Sequence, residues 1–340
     1  MANVVEIKEI VKRLYGKYDA YINPVLKFLL AMTVFLVING KLGYMTRLNS
    51  FLVVLVAALL GSFLPLIMTA ILAGLFILLH LYALTPECAL VAGVVIFLMF
   101  LLYMRLVPKE TLVILLAPIL FMLKIPYALP LVMGLLGTPL SIVSVAFGVI
   151  LAYLIEFINA NGTAIVTIDD GNMVSRIRFI VDGMLMNKGM YITIVAFAIT
   201  LVLVYTLRRR DIDHAWSVAT IAGAIVDVII LLISDLMFDL NFSIVGMIFG
   251  SIVAVAFCIV LQIFSFHLDY TNTENVQFED DDYYYYVKAV PKVSVSAPEK
   301  KVKKINTVRT TPRHISSEVS KKTGVKTVRT ANGTTRTIKK

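Results

Sequence analysis

Apolar residues in this chain come in unbroken runs, not at the spacing of an amphipathic helix, and the runs are long enough to cross a bilayer. They cover residues 21–39, 52–84, 89–104, 111–123, 128–157, 191–207, 217–238 and 244–266. Hydrophobic residues make up 59% of the chain and charged residues 16%, so a soluble core is excluded as the destination of these runs. The expected fold is all-α, a polytopic membrane helix bundle of about eight to ten spans. Two runs exceed the roughly 20 residues that one span needs. The first is interrupted at Gly61-Ser-Phe-Leu-Pro65 and the second at Gly137-Thr-Pro139. Each interruption reads as a tight hairpin of two short helices, or as a re-entrant piece followed by one span.

Three domains follow. Residues 1–20 place Ile7, Val11, Leu14 and Tyr18 at helical spacing with Lys8, Lys12 and Lys17 on other faces, which predicts an interfacial amphipathic helix. No cleavable signal pattern precedes it. Residues 21–266 form the transmembrane domain, and residues 267–340 a tail expected to be disordered. Basic residues concentrate at the start, at Arg208-Arg-Arg210 and in the tail, so an even number of spans puts both termini in the cytoplasm. The loop 159–189 then lies outside. Within it Thr163–Asn172 reads as a short strand and an Asp-Gly turn, and Met173, Ile177, Ile180 and Met184 as a second surface-lying helix.

An internal repeat is visible. Ser141-Ile-Val-Ser-Val-Ala-Phe-Gly-Val-Ile-Leu151 recurs as Ser251-Ile-Val-Ala-Val-Ala-Phe-Cys-Ile-Val-Leu261, and Leu59-Leu-Gly-Ser62 as Leu135-Leu-Gly-Thr138. Transporters often bind their solute where two repeats meet on interrupted helices. The interruptions here carry Pro65, Pro126, Pro130, Gly137 and Pro139, residues that free backbone carbonyls which then need a partner in lipid. Kinked helices and ordinary turns use the same residues.

Charges inside spans cost about 2.5–3.5 kcal/mol each on insertion scales, so each needs a reason. Asp227 stands near the middle of the run 217–238, with Asp235 and Asp239 further along the same face. A carboxylate facing a cavity carries protons or binds a cation; without a cavity it pairs with a base, for which Lys124 and Arg105 are candidates. Asp235, Asp239, Glu156 and His80 read as interfacial. The candidate solute or ion site is therefore Asp227, Lys124, Pro65, Pro126, Pro130, Gly137 and Pro139.

No enzymatic constellation is present, neither HExxH nor GxSxG nor a P-loop. Cys88 and Cys258 are isolated, and His80, His214, His267 and His314 lie at no metal-ligand spacing. No cofactor and no metal is expected.

The tail opens with an acidic and aromatic block in which Phe278, Tyr283, Tyr284, Tyr285 and Tyr286 form a candidate docking site for a cytoplasmic protein partner. The same tyrosines at the headgroups would make a boundary spacer. Lys300, Lys301, Lys303 and Lys304 begin a basic stretch suited to anionic lipid, and Thr307-Val-Arg-Thr310 recurs as Thr327-Val-Arg-Thr330. Nucleic acid ranks behind lipid and protein because no folded module supports it. The segment Asn275-Val-Gln-Phe-Glu-Asp-Asp-Asp-Tyr-Tyr-Tyr-Tyr-Val-Lys-Ala-Val-Pro-Lys292 resembles the tail of a group of uncharacterised multi-pass membrane proteins from anaerobic Gram-positive bacteria. That resemblance implies a bacterial cell membrane and carries no activity and no functional residue.

Two functions fit these features. One is a transporter or permease-like subunit for a small solute or ion, binding at the broken helices with Asp227 as proton or cation site. The other is a membrane scaffold that recruits a cytoplasmic or envelope partner through its tail.

Overall fold

A computed structural model describes residues 2–168, 173–212, 214–240 and 242–265, with tail segments 274–279, 284–289, 326–329 and 335–338. The chain divides into two compact units, Met1–Val295 and Ser296–Lys340. The first contains an all-helical bundle of α1 (Ala2–Lys41), α2 (Phe51–Phe63), α3 (Leu66–Leu84), α4 (Pro86–Leu106), α5 (Thr111–Met122), α6 (Ala128–Leu136), α7 (Ile142–Thr167), α8 (Met173–Leu185), α9 (Lys188–Arg208), α10 (Ala215–Phe238) and α11 (Ile244–Ser265). Seven helical stretches among the described residues are long and apolar enough to cross a membrane: 14–41 in α1, α3, α4, 139–167 in α7, 173–208 in α8 and α9, α10 and α11. The shorter apolar helices α2 and α5 accompany them.

Both expected interruptions exist and have local causes. Pro65 follows the end of α2, where Leu64 turns to extended backbone, and it becomes the N-cap of α3. Gly137 ends α6, also extended, and Pro139 opens a 3-10 turn that leads into α7. α1 is two helices joined across a kink at Tyr18, close to the expected end of the interfacial segment. Pro24 lies within it and cannot donate to the turn before it. Of the expected apolar face, Val11, Leu14 and Tyr18 are exposed, and the side chain of Ile7 lies outside the described residues.

One expectation about secondary structure is overturned. Residues Thr163–Thr167, read as a strand, are the last turns of α7. Their β-branched side chains favour a strand locally, but helical spacing lets Ile158 and Ile165 share one buried face. Gly162 lies on that face against Tyr44, whose hydroxyl would stand 2.6 Å from an added Cβ. The Asp-Gly turn falls at 169–172, outside the described residues. Met173–Leu185 is the expected helix, with Ile180 and Met184 buried against the bundle.

Pairwise contacts give the direction of each helix. α1 and α2 are antiparallel, since the Ser62 hydroxyl donates to Pro24 O at 2.9 Å and the Asn39 amide to Leu48 O at 2.7 Å. α9 and α10 are antiparallel through Thr200 with Asp227 and Arg208 over Trp216. α10 and α11 are antiparallel through Ser217 with Gln262 and Asp235 with Phe242. α5 runs parallel to α7: Glu110 takes hydrogen bonds from Ser141 and Ser144, and the Phe121 and Tyr153 rings meet about 15 Å further on, at 5.9 Å. α6 runs parallel to α9, with Tyr127 on Phe197 at one end and the Leu135 and Gly137 carbonyls on Arg208 at the other.

It follows that α5 and α6 form a re-entrant hairpin. They enter and leave at the same end of the bundle, because Glu110 before α5 is bonded to Ser141 after α6. At 1.5 Å per residue α5 is about 18 Å long and α6 about 13 Å, against a hydrocarbon core of about 30 Å. The turn between them therefore sits at membrane depth. The copies of the long repeat occupy different places: Ser141 begins α7, whereas Ser251 lies two turns inside α11.

In the tail, β1 (Glu274–Glu279) pairs antiparallel with β2 (Tyr284–Ala289), Phe278 opposite Tyr285 and Gln277 opposite Tyr286. In the second unit β3 (Lys326–Arg329) pairs with β4 (Thr335–Ile338). Tyr283, Lys300, Lys301, Lys303, Lys304 and Thr307–Thr310 lie outside the described residues.

Candidate functional site

The turn at the tip of the α5–α6 hairpin closes α5 with two hydrogen bonds. Ile125 N–H donates to Leu120 O at 2.9 Å and Lys124 N–H to Phe121 O at 3.1 Å. This is the Schellman pattern, which needs a left-handed residue just past the helix and is usually closed by glycine. Here Lys124 takes that place, with φ +60°. Pro126, two residues on, prevents the helix from continuing. A lysine in this backbone region costs on the order of 1–2 kcal/mol, so the side chain is held there against local preference.

Lys124 borders two adjoining cavities. One has a volume of about 260 Å³ and is lined by Lys124, Pro126, Tyr127, Tyr153, Glu156, Thr193 and Ser243 among others. The other, about 180 Å³, is lined by Lys41, Lys124 and Glu156 together with apolar side chains of α1, α5 and α7. Glu156 is twelve residues along α7 from Ser144, about 18 Å, the same length as α5. Parallel packing thus brings Glu156 to the level of the hairpin tip. The hydroxyls are oriented: Thr193 donates to Gly189 O at 2.8 Å, leaving Tyr153 to donate to Thr193 at 2.9 Å. α11 reaches the tip because Gly250 has no side chain. A Cβ there would stand 2.5 Å from Lys124 O and 2.8 Å from the Tyr127 ring.

Asp227 lies one helical turn before Leu231, which lines the larger cavity. It is 1% exposed. Thr200 donates to its Oδ1 at 3.2 Å, and its Oδ2 has no hydrogen-bond partner among the described residues. Neither Lys124 nor Arg105 pairs with it. Asp235 is not on the site, for its Oδ1 accepts from Phe242 N–H at 3.0 Å and fixes the turn between α10 and α11.

The other candidate positions separate from this group. At Pro65 the freed carbonyl of Leu64 accepts from Lys27 Nζ at 3.5 Å. At Gly137 and Pro139 the guanidinium of Arg208 donates to Gly137 O at 2.8 Å and also to Leu135 O. Basic side chains from other helices thus reach carbonyls at both breaks. Pro130 is buried in the first turn of α6, where a missing N–H costs little. Of the sequence candidates, Lys124 and Pro126 line the cavity and Asp227 adjoins it.

Several functional-looking groups escaped the sequence reading. His80 is buried, not interfacial: its Nδ1 accepts from Met45 N–H at 3.1 Å, so Nε2 carries the proton and donates to Asn39 Oδ1 at 2.8 Å. Arg176 of α8 and Glu87 of α4 form a buried ion pair at 3.6 Å, their side chains 6% and 8% exposed. Glu156 had been placed at a helix end and proves to lie well inside α7. Apolar flanks alone do not distinguish these residues from interfacial charges.

The fold and this polar cavity within apolar helices define an integral multi-pass membrane protein in contact with lipid. Compared with known proteins, the chain matches no family model, no curated protein and no solved structure.

Proposed function

We propose that this protein is a permease-like subunit that moves a small solute or ion, with the cavity at the hairpin tip as its binding site and Asp227 as a proton or cation site. One observation carries the reading: a re-entrant hairpin brings Lys124 to a cavity shared with Glu156, one turn from a buried carboxylate with an unpartnered oxygen. Irregular backbone at membrane depth is tolerated where it lines a cavity or is buried in protein. A buried carboxyl without a base gains from a proton or a cation on its free oxygen. The proposal assigns no catalytic chemistry and needs no cofactor. It places the protein in a cell membrane, bacterial by the tail resemblance, with both termini cytoplasmic and the basic tail on anionic lipid.

The test uses proteoliposomes with an entrapped pH dye, challenged in turn with amino acids, sugars, carboxylic acids and alkali cations. At least one addition should move protons, and Asp227→Asn, folded by its thermal transition, should abolish the response. A wild-type protein silent to every addition defeats the proposal. A persistent response in Asp227→Asn removes Asp227 from it.

The alternative is a scaffold acting through its tail, which is favoured by the aromatic residues Phe278 and Tyr284 to Tyr286 on two paired strands. Deleting residues 271–340 separates the two readings. Transport predicts retained flux, and a scaffold predicts loss of phenotype with no flux in either form.

A further inference from the structure

Lys124 and Glu156 carry opposite charges, border the same two cavities, and pair neither with each other nor with any other side chain among the described residues. Unlike the buried pair of Arg176 and Glu87, Lys124 and Glu156 are both exposed and stand at the cavity walls. Between them lies the larger cavity, about 260 Å³. The Lys124 end also has Lys41 at the smaller cavity. The Glu156 side shares the larger cavity with the Tyr153 and Thr193 hydroxyls, and the far wall has Ser243, at the start of α11.

From this we infer that the cavity binds a zwitterion, a primary ammonium joined through a few atoms to a carboxylate or phosphate. Its ammonium sits on Glu156 and its anionic group on Lys124. A ligand with one charge is attracted by one wall and repelled by the other. A ligand with both satisfies each wall at once. The left-handed backbone of Lys124 supports the same reading. Glycine would relieve the turn, so lysine at this position is a cost to the fold that a bound anionic group can offset. The inference rests on the proposed permease reading and supplies its solute class.

Two sources offer this chemistry, free α-amino acids and the phosphoethanolamine headgroup of a lipid. Full-length protein in phosphatidylglycerol nanodiscs is titrated with glycine, L-alanine, L-serine and L-leucine, and with alaninamide and N-acetyl-alanine as single-charge controls, reading the thermal transition. A parallel sample contains phosphatidylethanolamine. The expected result is stabilisation by a free amino acid or by phosphatidylethanolamine, the responding arm naming the source, and none by the controls. Lys124→Met and Glu156→Gln should each weaken that binding about tenfold or more. Lys124→Gly should raise the thermal transition while losing the ligand response, an outcome that a purely structural lysine does not produce. No response to any zwitterion, equal response to a control, or a Lys124→Gly protein that still binds overturns the inference. Binding is read without flux, so lost zwitterion binding with solute-driven proton movement intact refutes the ligand class alone, and binding without any flux refutes transport alone.

Discussion

Replacing Arg208 with alanine tests whether basic side chains hold the broken helices together. The guanidinium donates to Leu135 O and Gly137 O, the carbonyls that α6 leaves without helical partners where it ends. It also lies 5.0 Å from the Tyr205 ring and 5.9 Å from that of Trp216. Leaving a buried carbonyl unsatisfied costs about 1–3 kcal/mol, so two give about 2–6 kcal/mol. The cation–π contacts add about 0.5–1 kcal/mol. Arg208 is only half-buried and water can reach this end of the bundle, which pulls the sum toward its lower half, about 3 kcal/mol. Arg208→Lys should recover about half, because an ammonium lacks the fork that spans two carbonyls. Reversible unfolding in mixed micelles measures this directly. The signal is the fluorescence of Trp216, the chain's single tryptophan and a neighbour of the site. A loss below about 0.5 kcal/mol for Arg208→Ala, the range of an ordinary surface substitution, would refute the reasoning.

The remaining predictions concern packing around the bundle. Glu87→Ala removes the carboxylate facing buried Arg176, whose guanidinium keeps its bonds to Ile168 O and Val166 O, and should destabilise by about 1–3 kcal/mol, with Glu87→Ala/Arg176→Met costing less than the sum of the singles; an additive double-mutant cycle would show that the pair is not coupled. Gly250→Val forces α11 off the Lys124 carbonyl and the Tyr127 ring, and should cost about 1–3 kcal/mol while weakening ligand binding at the tip. Unaltered unfolding of the Gly250→Val protein would mean that α11 does not pack on the turn.

Legibility followed the length scale of each interaction. The spans 89–104, 191–207, 217–238 and 244–266 match α4, α9, α10 and α11 within a few residues, because lipid demands continuous apolar helices and composition reports that directly. Pro65 and Pro139 marked the true breaks, since a missing N–H acts on its own turn. Residues Thr163–Thr167 misled because local β preference lost to a packed helical face. His80 misled because the difference between an interface and a buried network is set by Asn39, 41 residues away, and Glu156, which is exposed, because its place along the helix depends on where α7 begins and ends.

The sequence by itself determined that this is a multi-pass helical membrane protein with two broken helices and an ionisable residue, Asp227, deep in a span. Those properties are written in runs, prolines and charges that act over one or two turns. Only the tertiary structure decided that α5 and α6 turn back at membrane depth, that Lys27 and Arg208 reach carbonyls at the breaks, and that Lys124 and Glu156 face one cavity without pairing. Each depends on which helices lie side by side and in which direction, and apolar helices built from few residue types carry almost no record of their neighbours.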